Sequence, residues 1–133
     1  MAVLLVDVAN VVGARPDGWW RDRAGAATRL LDRLAGLAGT TVPGPDGGEL
    51  PGTRVVAVVE GRARDVPAPE GVDVVRAPGS GDDALAATAA EHARAGEEVL
   101  VVTADRGLRA RLPGGVAVTG PGWLLAELDR RTA

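Results

Sequence analysis

The chain has 133 residues, 46% of them hydrophobic and only 2% aromatic, which suits one globular domain with a core of valine, leucine and alanine and excludes a disordered chain. The absence of cysteine excludes disulfides, zinc–thiolate centres and thiol nucleophiles. The formal charge of −3, with all fifteen basic residues arginine, argues against a general attraction to nucleic acid and leaves that task to local arginine clusters. No apolar run approaches the roughly 20 residues that span a membrane, and no basic stretch precedes the first apolar run, so a cytoplasmic protein with no membrane partner is expected.

The predicted elements alternate. Val3-Leu4-Leu5-Val6 is a continuous apolar run, as in a strand buried on both faces. Residues 22–37 carry Ala26, Leu30, Leu34 and Leu37 at helical spacing, closed near Gly39. Residues 40–53 are rich in glycine and proline and read as a surface loop or loose hairpin. A second strand is expected at 54–59, a polar loop at 60–71 and a short third strand at 72–75. A helix follows at 82–95, closed by Gly96, then a fourth strand at 98–102. A short helix at 106–112, a fifth strand at 116–118 and a terminal helix at 123–131 complete the chain. This alternation predicts a single α/β domain over residues 1–133, a three-layer sandwich around a mostly parallel five-stranded sheet.

Acidic residues stand at the carboxyl ends of these strands, the rim where ligands bind in an open α/β sheet. Asp7 ends the first strand, with Asn10 three residues on. Asp82 and Asp83 follow the third strand and the Gly79-Ser80-Gly81 turn, and Asp105 follows the fourth strand through Thr103 and Ala104. Each has a local explanation. Asp7 and Asn10 suit turns, Ser80 with Asp83 resembles a capping box, and Asp105 suits a helix N-cap. Glu60, ending the second strand, either extends the cluster or faces solvent. Together the carboxylates would repel one another unless a hard cation lay between them, which points to a divalent metal on oxygen ligands. Adjacent Asp82 and Asp83 point in different directions, so one is expected to ligate directly while the other acts through water or serves the helix. Gly79-Ser80-Gly81-Asp82-Asp83-Ala84 also fits a dinucleotide fingerprint, but a pyrophosphate there would face two aspartates, and the motif is not on the first strand.

Val6-Asp7-Val8-Ala9-Asn10, then Gly81-Asp82-Asp83-Ala84, then Val102-Thr103-Ala104-Asp105-Arg106 resembles the PIN-like nuclease superfamily, in its NYN branch, over nearly the whole chain. The resemblance implies a ribonuclease dependent on Mg2+ or Mn2+, cleaving RNA phosphodiesters to leave a 5′-phosphate and a 3′-hydroxyl. It implies Asp7 as the main metal ligand, Asn10 as its support, Asp82 and Asp83 as the second acidic position and Asp105 as the third, with the metal expected on Asp7, Asp83 and Asp105. The chain departs from that pattern at Val8, where a smaller residue is usual, at Glu60-Gly61, where an aspartate often precedes the glycine, and at Arg109, where many relatives place a further acid.

Substrate contacts are expected from Arg15, Arg62 and Arg106, with Thr103 and Ser80 at the strand ends, since arginine grips phosphate through paired N–H groups. Arg21, Arg23, Arg64 and Arg109 lie in the same regions; solvated surface arginine is the competing reading. Trp19 and Trp20 either anchor the start of the first long helix or stack on bases. The expected partner is RNA; a homodimer and further protein partners stay open. Two other readings use the same residues: a nucleotide phosphohydrolase, and a degenerate RNA-binding domain without catalysis. A receiver-like phosphoacceptor would need a lysine, and the chain has none.

Overall fold

A computed structural model describes residues 2–132. The first strand, β1 (Ala2–Asp7), is buried along its whole length and runs straight into a short helix, α1 (Val8–Val12). A tight helical turn at Trp19–Arg21 leads to α2 (Arg23–Ala35). The glycine- and proline-rich stretch forms a small antiparallel hairpin, β2 (Val42–Pro43) and β3 (Glu49–Leu50), whose Val42 and Leu50 turn into the core. After β4 (Arg54–Val59) comes a tight turn at Gly61–Ala63, then β5 (Val72–Arg76) and α3 (Gly81–Arg94). The chain ends with β6 (Glu98–Val102), α4 (Arg106–Arg111), β7 (Ala117–Thr119) and α5 (Pro121–Thr132).

The main sheet has the order β5-β4-β1-β6-β7, and every pairing in it is parallel. The expected three-layer α/β architecture is therefore present. Alternation along β1 sorts the core into two halves, because successive side chains of a strand face opposite ways. Ala2, Leu4 and Val6 pack with α1, α2 and α5 on one face, whereas Val3 and Leu5 pack with α3 and α4 on the other. Small aliphatic residues fill both halves, so the near absence of aromatic side chains is no obstacle to a closed core.

The chain lays down β1, β4 and β5 outward in one direction, then returns to β1 and lays down β6 and β7 in the other. The direction reverses between β1 and β6, and the crevice above their carboxyl ends is the favoured ligand position of such sheets. Sequence expectations and structure differ mainly at boundaries. The short helix α1 was not anticipated, because five residues are too few to show a period. The fifth strand lies one residue later than expected, and the last helix starts at Pro121, whose fixed φ suits a first helical position.

Candidate functional site

Asp7 is the last residue of β1 and the N-cap of α1. It is only 6% exposed, and its carboxylate accepts the Thr103 hydroxyl at 2.9 Å and the Asn10 backbone N–H at 3.3 Å. Thr103, fully buried after β6, also accepts the Asp105 N–H at 3.1 Å, so one hydroxyl ties together the two aspartates at the switch point. Asn10 closes the crevice from the α1 side by accepting the Ala104 N–H through its Oδ1 at 2.8 Å. Asp105 caps α4 by accepting the Leu108 N–H at 3.0 Å.

Two further carboxylates reach the same rim. Glu60, after β4, accepts the Gly81 N–H at 2.7 Å, at the start of α3. A Cβ at position 81 would lie 3.0 Å from that carboxyl group, so the approach depends on glycine. Gly61, with φ +58°, takes the left-handed conformation that opens the tight turn directly after Glu60. Asp82, half-buried in the first turn of α3, faces Asp105 and Glu60.

The electrostatics follow from this crowding. Burial is the largest influence raising the Asp7 pKa above its ordinary value, opposed by the bonds from Thr103 and Asn10, with the charges of Glu60 and Asp82 adding to the rise. Asp82 is raised too, first by desolvation and then by Asp105 and Glu60, with Arg111 acting against them. Both shifts have the same origin, carboxylates crowded together at a partly desolvated rim.

Asp83, expected as a direct metal ligand, stands elsewhere. Its side chain is 77% exposed and pairs with Arg111 at 2.7 Å. One step along a helix turns a side chain by about 100°, so only one of two adjacent acids can face the crevice, and that one is Asp82. Ser80 serves as the N-cap of α3, accepting the Asp82 N–H at 3.2 Å. Arg15 is engaged by Asp129, which it shares with Arg33, at 2.7 and 2.9 Å. Arg62 and Arg106 are exposed on two sides of the rim. Arg109 donates to the Thr103 carbonyl at 3.3 Å and so braces the turn that carries Asp105. His92 pairs with Glu97 at 2.9 Å, away from these acids. Glu60, which the sequence leaves between the cluster and solvent, lies against the start of α3.

The donor set Asp7, Glu60, Asp82 and Asp105 is all carboxylate oxygen, which fits a hard divalent cation. No group of three or more such side chains among the described residues is close enough to enclose an ion as they stand. Each of Asp7, Glu60 and Asp105 is turned toward a backbone N–H or a hydroxyl, which leaves the cluster open.

Sheet order and rim define the chain as a doubly wound α/β protein with an acidic crevice at its switch point. The fold is similar to that of Rae1 (YacP) from Bacillus subtilis, with a TM-score of 0.73 at 21% sequence identity, covering 99% of this chain and 78% of that one. A tryptophan-to-leucine mutant of the same protein gives a TM-score of 0.69 at 22% identity, covering 98% and 76%. No protein-family profile matches the chain, and no curated protein does. Among the described residues no helix is long and apolar enough to cross a membrane.

Proposed function

We propose that this chain is a metal-dependent ribonuclease of the PIN-like, NYN type, hydrolysing RNA phosphodiester bonds in the crevice between β1 and β6. The observation that carries this reading is the convergence of Asp7, Glu60, Asp82 and Asp105 from four separate strand ends, with Asp7 buried and both Asp7 and Asp82 pushed toward protonation.

Asp7, Asp82 and Asp105 would hold Mg2+ or Mn2+, with Glu60 beside them. When bound, such an ion supplies Lewis-acid polarisation of the phosphodiester and offsets the charge of the reacting group. The protein's own part is positioning. Thr103 and the Asn10 N–H fix the Asp7 carboxylate in one orientation. The Asn10 side chain holds the β6–α4 turn against α1, which sets the spacing of Asp7 from Asp105. Arg106 and Arg62, exposed on two sides of the rim, would receive the flanking phosphates of a strand laid across it.

The test is cleavage of a mixed RNA and single-stranded DNA pool with manganese, with magnesium and with chelator, comparing wild type with Asp7→Asn. Metal-dependent cleavage lost in the variant supports the reading. A folded wild-type protein that cuts nothing in either metal rejects it and favours a nucleotide phosphohydrolase or a non-catalytic RNA-binding domain.

A further inference from the structure

A cleft of about 350 Å³ opens beside the acidic crevice, within the size range of small-molecule sites. Val8, Val12, Trp19, Arg23, Glu60 and Arg62 line it. Glu60 therefore belongs both to this cleft and to the acidic cluster. A second cleft, of about 580 Å³, shares Arg23 and Arg62 with the first and adds Trp20 and Arg21. The two clefts adjoin at Arg23 and Arg62 and are taken together as one trough.

The two indole rings meet edge to face, 5.8 Å apart at 85°. The Arg23 guanidinium lies over the Trp19 ring at 5.4 Å, and that of Arg21 over the Trp20 ring at 5.9 Å. Trp20 is 50% exposed, the one large apolar side chain so exposed among the described residues. Arg21, Arg23 and Arg62 have no ion pair or side-chain hydrogen bond among the described residues, although nine other arginines do. Asp22, the acid between two of them, is occupied in accepting the Gly25 N–H at 2.9 Å. Indole and guanidinium surfaces side by side, the guanidinium groups without a carboxylate partner, match a heteroaromatic ring with an attached anion.

We infer that this trough is a subsite for an unpaired nucleotide of a single-stranded RNA, whose base stacks on the Trp19 and Trp20 side while its phosphate meets Arg23 and Arg62. This deepens the ribonuclease reading and rests on it for the direction of the strand. The strand runs from the acids past Glu60 and over the arginines. Bases held inside a duplex cannot present a face to the indoles, so the site selects unpaired segments.

The test measures binding by fluorescence anisotropy, with the full chain carrying Asp7→Asn and magnesium present, so that the strand stays intact. A labelled single-stranded RNA, a duplex of the same sequence and a mononucleotide are compared on that background alone and with Trp19→Leu, Trp19→Phe or Arg62→Ala added. Circular dichroism melting checks that each variant is folded. Expected is a weakening of about 5- to 150-fold for the single strand in Trp19→Leu, the range of one lost base–aromatic stack, with most affinity kept in Trp19→Phe. Arg62→Ala should flatten the dependence of log affinity on log salt by about 0.7, one phosphate contact on a single strand. The duplex should be unaffected by Trp19→Leu. Unchanged single-strand affinity in both Trp19→Leu and Arg62→Ala overturns the subsite, as does a mononucleotide bound as tightly as the strand. If these binding differences hold while wild type cuts nothing in any metal, the subsite stands and the nuclease reading falls. If cleavage is metal-dependent and binding ignores both side chains, the subsite falls alone.

Discussion

Replacing Thr103 by valine keeps the shape of a fully buried side chain and removes one hydroxyl. That hydroxyl donates to Asp7 at 2.9 Å and accepts the Asp105 N–H at 3.1 Å. A hydrogen bond to an ionised group is worth about 1.5–3 kcal/mol, and the half-buried Asp105 N–H left without a partner adds about 1 kcal/mol. The expected loss near neutral pH is thus about 2–4 kcal/mol, or roughly 6–15 °C in melting temperature for a domain of this size. The loss should also depend on pH. The Thr103 bond is the largest influence holding the Asp7 pKa down, so the variant should bind that proton more tightly still. Below the ordinary aspartate value of 3.8, where Asp7 is protonated, Thr103 faces a neutral carboxyl group. The bond is then worth only about 0.5–1.5 kcal/mol, and the gap between variant and wild type should narrow. Urea denaturation in chelator at neutral pH and again below that value measures both quantities. A loss that stays the same at both pH values would refute the idea that Thr103 supports an ionised Asp7.

Asp7→Asn should stabilise the protein. Asp7 holds its proton more tightly folded than unfolded, so its ionisation removes stability as pH climbs from 3.8 through the raised folded value, and the deficit persists at neutral pH. Thermal melting in chelator should show a gain of about 0.5–2 kcal/mol near neutrality that vanishes in acid, as for other substitutions that relieve a functional site. Asp129, between Arg15 and Arg33, should titrate in an NMR pH series at about 2 and return toward 3.8 when either arginine becomes alanine. Its contribution to stability is present above 3.8 and is lost as pH falls through about 2. Glu127 is buried in α5 and bonds Arg130 and Arg131, the second of which also donates to the Thr41 carbonyl. Because Arg130 is mostly exposed, Glu127→Gln should cost only about 1–2 kcal/mol by denaturant titration, rather than the larger cost of breaking a fully buried pair.

The sheet was legible because each parallel strand here is a run of valine and leucine too short for a helix and bounded by turn residues. The rim was legible for the same reason: Asp7 and Asp105 follow such runs directly or after two residues. Which of Asp82 and Asp83 faces inward was not legible, since it depends on the rotation of α3, and that rotation is set by Leu85 and Ala89 packing on the sheet. The placement of Glu60 was not legible because its partner, the Gly81 N–H, lies 21 residues away. The pairing of Arg15 with Asp129 spans 114 residues, and no local pattern reveals it.

The most direct measurement compares RNA cleavage with manganese by Asp82→Asn and Asp83→Asn. Asp82 stands among the other acids and Asp83 pairs with Arg111 outside them. The account predicts that Asp82→Asn abolishes cleavage while Asp83→Asn, still folded, retains most of it. Equal loss in both variants, or loss in Asp83→Asn alone, would contradict it.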